Sequence, residues 1–403
     1  MIDWRMNSVF LLLFCVQTTI SLNPVILVPG DGGSQIQAKL DKPSVVHYLC
    51  SKKSDYYSLW LNLEILAPYV IDCFVDNMRL VYNATSRNTT NSPGVFTMIP
   101  DFGSTSSVEW LDPDTISHFT RTSYFAPIVD SLVSKGFVRG KSVRGAPYDF
   151  RKAPNEFGEY YDNLKKLVED TYSKNNNSAV VLLAHSMGNP TTLYFLNHQP
   201  QAWKDKYINK FITLAGVWAG SVKPIRLYTS GDSLGVPLVN PNKVRKEQRS
   251  MPSTAWLLPS PKFWNKDEIL AYQPNRTYTV NDYKQFFTDI NFLDGYEMRK
   301  DTENLIMDLK APGVEVHCLH GHGLPTPGAF KWDNKKTIWP DSQPFQVNDD
   351  GDGTVNIRSL LACLSWNDKQ KQKIYHKIFA KAEHMAILNN KDVISYILSH
   401  VGL

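Results

Sequence analysis

The run Val180-Val181-Leu182-Leu183-Ala184-His185-Ser186-Met187-Gly188 constrains this chain more than any other segment. A buried-strand pattern passes straight into a serine with small residues two positions away on each side. That is the form of a nucleophile elbow, a strand-to-helix turn so tight that large side chains at 184 and 188 would collide with neighbouring backbone. The turn forces the serine hydroxyl out over the sheet edge, and the following helix aims its N-terminal dipole at charge developing there. Ala184 stands where the usual pattern has glycine, which adds only one methyl.

Strand and helix candidates alternate around this motif. Val25 to Val28 is a buried-strand run stopped by Pro29-Gly30, and Phe125 to Lys135 has amphipathic helical spacing ended by Gly136. A second helix is expected from about Asn155 to Tyr172, before the strand Ala179 to Leu183 and a helix beginning at Ser186. Lys210 to Leu214, Val314 to Leu319 and Ile374 to Phe379 are further strands, and a last helix begins near Asp392. The order predicts a mostly parallel sheet with helices on both faces, an α/β-hydrolase fold. Its core is expected in three pieces, 22–47, 98–222 and 313–403. The stretches 48–97 and 223–312 break the rhythm and read as insertions over the active edge, the second a cap with a lid.

A serine hydroxyl is a poor nucleophile until a base takes its proton, so the motif requires an acid and a histidine further on, in that order. Asp352 sits in the polar turn Asn348-Asp349-Asp350-Gly351-Asp352-Gly353-Thr354-Val355, and His384 follows the strand candidate Ile374 to Phe379. The oxyanion donors are expected at the backbone N–H groups of Met187 and of Asp31, in Pro29-Gly30-Asp31-Gly32-Gly33. That glycine-rich turn lacks the G-x-G-x-x-G spacing of a dinucleotide site. His185 is expected to pack, since its position beside Ser186 points it away from the hydroxyl.

Metal readings are weaker. Asn348, Asp350, Asp352 and Gly353 mimic the start of a calcium loop, but the position that needs a bidentate Glu is Ser359 and no helix precedes the segment. His317, His320 and His322 around Cys318 match no compact zinc spacing. Neither a metal nor a cofactor is expected.

The first residues read as an address. Arg5 precedes a short apolar run, Val9 to Val16, followed by Thr18, Thr19 and Ser21, so residues 1–21 are expected to be a cleaved signal peptide. Without Cys15 an even set remains: Cys50, Cys73, Cys318 and Cys363. Loop-closure cost favours Cys50 with Cys73 and Cys318 with Cys363 over pairings that span most of the chain. Sequons at Asn83, Asn88, Asn176 and Asn275 agree with a secretory route. The net charge of +4 is small and no Lys/Arg run concentrates it, which argues against nucleic acid as a partner. Leu59, Trp60, Leu61, Leu63 and Leu66, beside Lys52 and Lys53, form an apolar cluster suited either to docking on a lipid surface or to ordinary core packing.

With these residues in hand, the chain resembles the lecithin:cholesterol acyltransferase family over nearly all of its length after the leader. The resemblance is carried by Leu27-Val28-Pro29-Gly30-Asp31, Gln37 to Pro43, Val45 to Lys53, Arg144 to Asp149, Ala184 to Asn189, Gln199 to Ile208, Gly351 to Asn356 and Glu383-His384. It implies a triad of Ser186, Asp352 and His384, oxyanion donors at Asp31 and Met187, the two local disulfides, a membrane-binding subdomain over 48–97 around Trp60, and a lid near Leu227 to Ser250. It also implies a monomer in the lysosome lumen or secreted, working at a phospholipid membrane or lipoprotein surface. The reaction implied is removal of a fatty acyl chain from a glycerophospholipid and its transfer to water or a lipid alcohol such as ceramide. Rival readings are a secreted phosphatidylcholine:sterol acyltransferase, a neutral lipase and a lipid-binding protein without turnover. The chain departs from the family pattern at Gly216-Val217-Trp218-Ala219-Gly220, and at His320 and His322, where other residues are usual.

Overall fold

Val25–Val28 has no polar residue to face water, and it becomes the strand β1 with every side chain fully buried. The computed structural model describes residues 22–402 except 68, 114–121 and 234–238; the expected signal peptide therefore lies outside the described residues. Beside β1 lie β2 (Val143–Gly145) and β3 (Val180–His185), followed by β4 (Ile208–Leu214), β5 (Val316–His322) and β6 (Ile374–Ala380). The sheet order is β6-β5-β4-β3-β1-β2 and every pairing is parallel. A parallel sheet needs both faces covered, which explains why β1 and β3 are buried along their whole length. This is the expected α/β-hydrolase sheet.

Helices α1 (Ala126–Val133), α2 (Gly158–Lys174), α3 (Gly188–Asn197) and α4 (Lys391–Ser399) supply cover. In α2, Leu164, Leu167, Val168 and Thr171 lie on one helical stripe and are the buried residues, while the opposite side carries charge. α2 and α3 both contact β3, and α1 contacts α4. The start of α4 is fixed by Asn390, whose side-chain oxygen accepts from the Asp392 and Val393 amides.

Both insertions are folded structure: the first packs Leu59, Phe74, Val75 and Met78 into the main core, and the second has a hydrophobic core of its own. In the second, Tyr228, Trp264, Tyr278, Phe286, Phe287 and Met298 are buried together with Phe330 and Trp332 from beyond residue 312. The reason is a sheet: the short strands Ala271–Gln273 and Arg276–Tyr278 are continued by the hairpin Leu324–Lys331 and Phe345–Gly351. The cap thus borrows a hairpin from the third core segment. A salt-bridge cluster of Arg87 with Glu297 and Asp301, and a 2.6 Å hydrogen bond from Tyr82 Oη to Asp301, tie the first insertion to the cap.

Candidate active site

Tight backbone contact at the end of β3 sets the geometry of the site. Ser186 has φ of 54°, in the left-handed region, which for a non-glycine residue marks a strained turn. Its amide donates to the Leu214 carbonyl on β4, and Asn189 Nδ2 donates to the carbonyls of both Ser186 and Leu214. The elbow is therefore pinned from two sides. A methyl group at Gly188 would stand 2.4 Å from the Pro29 carbonyl, and one at Gly30 would stand 2.6 Å from Ser186 Cβ. Only glycine lets the loop after β1 lie directly against the nucleophile turn.

Side chains separated by most of the chain then converge. His384 Nε2 is 2.9 Å from Ser186 Oγ, and His384 Nδ1 is 2.8 Å from Asp352 Oδ2. Asp352 Oδ1 accepts from the amides of Thr354 and Val355 at 3.0 and 2.8 Å. Burial alone would raise the Asp352 pKa, but the His384 imidazole and these two amides outweigh it and hold the carboxyl below its ordinary value. An ionised Asp352 fixes the proton of His384 on Nδ1, leaving the Nε2 lone pair toward the serine hydroxyl. Among the described residues, the Asp31 and Met187 amides have no acceptor in the protein, so both N–H groups remain available near Ser186.

His185 packs away from the hydroxyl, as expected, but it also bridges the two halves of the site. Its Nε2 is 2.8 Å from the His384 carbonyl, and its Nδ1 meets the Tyr124 hydroxyl, which accepts from the Gly30 amide at 2.9 Å. A carbonyl can only accept, so Nε2 carries the proton and Nδ1 accepts from Tyr124. Burial, reinforced by the neighbouring His384, pushes the His185 pKa down to about 3, so the ring stays neutral. The line Gly30, Tyr124, His185, His384 ties the loop after β1 to the loop that carries His384. Nothing in the sequence around Tyr124 signals this; it is legible only once the fold brings the residues together. Replacing Tyr124 by Phe is expected to leave the Gly30 amide and the His185 ring unsatisfied and to cost about 1–3 kcal/mol in denaturant unfolding. The same variant should lower kcat by roughly 10- to 100-fold through misplacement of the two loops.

The apolar cluster of the first insertion requires a correction. Leu59, Trp60, Leu61 and Leu66 are buried, and of the five residues expected at a lipid surface only Leu63 is exposed. Trp60 Nε1 donates to the Gly32 carbonyl at 2.8 Å, and the indole packs against Phe150 and Phe74. These side chains cover the loop after β1 because burying an indole whose N–H has an acceptor is more favourable than exposing it. Exposed apolar residues near the Cys50–Cys73 bridge include Val46, Tyr48, Leu49, Leu63 and Tyr69. Cys50 is bonded to Cys73 and Cys318 to Cys363, with Cα separations of 5.3 and 6.7 Å. Asn83, Asn88, Asn176 and Asn275 all lie on the exposed surface.

His317, His320 and His322 do not converge. His317 binds Tyr396 and Glu315, His320 faces His376, and Cys318 is in its disulfide. Of the calcium-like turn, Asp352 is committed to His384, and Asp350 accepts from the Gly323 amide.

Comparisons with known proteins bear on the fold and the family. A chain of the Tle4–Tli4 complex superposes with a TM-score of 0.51 at 11% identity, covering 93% of this chain and 97% of that one, which supports the fold. Lysosomal phospholipase A and acyltransferase from Rattus norvegicus is 50% identical over 93% of this chain and 89% of its own. The Homo sapiens protein of the same name is 48% identical over the same shares. Phosphatidylcholine-sterol acyltransferase from Gallus gallus is 43% identical over 91% of this chain and 87% of its own. The family model for lecithin:cholesterol acyltransferase matches residues 56–391, and the chain belongs to that family.

Proposed function

We propose that the protein is a serine phospholipase and acyltransferase that removes a fatty acyl chain from glycerophospholipids and passes it to water or to a lipid alcohol. The observation that carries this reading is the continuous hydrogen-bonded line from Ser186 Oγ through His384 to Asp352, beside two free backbone donors. Its similarity to lysosomal phospholipase A and acyltransferase supports the substrate class and a lysosomal address.

The chemistry follows from the geometry. His384 Nε2 takes the Ser186 proton as Oγ attacks the ester carbonyl, and the oxyanion is held by the Asp31 and Met187 amides. Collapse of the tetrahedral species breaks the bond to the glycerol oxygen, which leaves with the proton from His384 as a lysophospholipid. His384 then deprotonates water or an acceptor hydroxyl, whose oxygen attacks the acyl-serine and releases Ser186. The exposed residues Val46, Tyr48, Leu49, Leu63 and Tyr69, around the Cys50–Cys73 bridge, are the surface we assign to lipid contact. Mass spectrometry of phospholipid vesicles treated with the enzyme, with and without ceramide, tests the reading. Lysophospholipid with free fatty acid is expected without the acceptor, and an acylated ceramide with it; sterol ester from a sterol arm, with no acylated ceramide, would favour the sterol acyltransferase instead.

Asp31 gives this reading a pH signature. Loss of hydration against the surrounding protein raises its pKa to about 6, with Lys223 and the Gly32 amide partly opposing, although the residue keeps one side open to solvent. Below that value the carboxyl is neutral; above it, a negative charge sits on the residue whose amide must stabilise an oxyanion. The kcat/KM of the wild type should therefore fall as pH rises through about 6, and Asp31→Asn should retain activity there. Superimposable alkaline limbs for the two proteins would remove Asp31 from this role.

A further inference from the structure

His320, one of the histidines around Cys318, lies on β5 beside the loop that carries His384. His320 is fully buried at the end of β5, whereas His376 is exposed on the neighbouring edge strand β6. Their rings stack with centroids 5.0 Å apart, and the two Nε2 atoms are 2.8 Å apart. His320 Nδ1 lies 2.8 Å from the Gly321 carbonyl. Since a carbonyl only accepts, His320 carries its proton on Nδ1, and its Nε2 lone pair accepts from His376 Nε2–H.

Burial lowers the pKa of both rings, and this arrangement accepts a first further proton more readily than a second. His376 Nδ1 has no hydrogen-bond partner among the described residues, so a first proton enters there, leaves the inter-ring bond intact and makes it charge-assisted. A second proton, on His320 Nε2, would set N–H against N–H and bring two cations into contact. Burial and His376 both oppose charge on His320, while its own bond to Gly321 and the Asp352 carboxylate favour it. His322 is the other titratable neighbour, and Asp350 stands 3.9 Å from it.

The pair bears directly on His384. A methyl group at Gly321 would lie 1.8 Å from the Ala382 carbonyl, so the peptide that His320 holds is packed against the loop carrying the catalytic base. The adjacent Lys381 amide donates to the His322 carbonyl at 2.9 Å, and the His384 amide to the Asp352 carbonyl at 3.0 Å. We propose that His320 and His376 form a one-proton clasp that positions the His384 loop, holding it with no added proton or one and releasing it with the second. His320 is thus a positioning residue that sets the acid limit of activity. The inference rests on His384 being the catalytic base.

The experiment measures kcat against pH on phospholipid vesicles for the wild type, His320→Asn and His320→Leu, together with 15N-histidine NMR of the full chain. The Asn amide nitrogen takes the place of Nδ1 and keeps the bond to Gly321 without titrating. The wild-type acid limb is expected to be steeper than the His320→Asn limb, which lacks the clasp proton. On the neutral side His320→Asn should stay within about twofold of wild type, whereas His320→Leu should lose roughly tenfold at every pH. The NMR should find His320 neutral and protonated on Nδ1 at a pH where His376 is already a cation. Superimposable acid limbs, equal losses in both variants at all pH values, or a proton on His320 Nε2 in the neutral ring would overturn the proposal. Lack of turnover by the wild-type chain would count against the hydrolase reading itself and leave the NMR to decide the clasp.

Discussion

Replacing Ser186 by alanine is expected to lower kcat/KM for lysophospholipid release from vesicles on the order of 10⁵-fold, with the melting temperature nearly unchanged. Among the described residues the hydroxyl is hydrogen-bonded to His384, and the backbone of the elbow is held by the Leu214 carbonyl and Asn189, neither of which involves Oγ. Removal of Oγ therefore takes away the nucleophile and little else. His384→Ala should cost a similar factor, and the double variant should be no slower than either single one, because base and nucleophile act as a unit. Co-sedimentation of Ser186→Ala with vesicles should match that of the wild type, which separates lipid binding from turnover. Deacylation that persists in Ser186→Ala would leave only the lipid-binding reading or a different nucleophile.

How much of this was legible in the sequence depends on the range of the interaction. β1, β3 and β6 are marked by continuous apolar runs or alternation, and their expected and observed limits agree within two residues. The strand-turn-helix around Ser186 is a local steric object, so its small residues at 184 and 188 give it away. Asp352 and His384 followed from chain order, since the chemistry demands an acid and then a base. The cap is different: its sheet joins strands near residues 272 and 277 to a hairpin beginning at Leu324, a pairing no window of periodicity can contain. The apolar cluster around Trp60 misled for a related reason. Composition says that such side chains avoid water, but only the fold decides whether a membrane or the underside of Gly32 provides the shelter. Tyr124 and the His320–His376 pair carry no sequence signal, because each depends on two polar atoms meeting across different elements.

Asp352→Asn is expected to lower kcat about 10⁴-fold while leaving the side chain in place. Asp352 Oδ1 accepts from the Thr354 and Val355 amides, so an asparagine there must turn its own carbonyl oxygen toward those donors. Its NH₂ group then faces His384 Nδ1, at the position where Oδ2 now lies 2.8 Å away. A donor facing Nδ1 requires that nitrogen to accept, which moves the imidazole proton to Nε2. That tautomer presents N–H to the Ser186 hydroxyl and cannot take its proton. The variant should also change how stability responds to acid. The Asp352 pKa is lowered in the folded protein, so its contribution is complete above the unfolded-state value of about 3.9 and is lost as pH falls through the lower folded value. Melting curves of the wild type should therefore shift downward from about pH 4 in acid, and this component should be missing from Asp352→Asn. Activity within tenfold of wild type would mean that something other than Asp352 fixes the His384 proton on Nδ1.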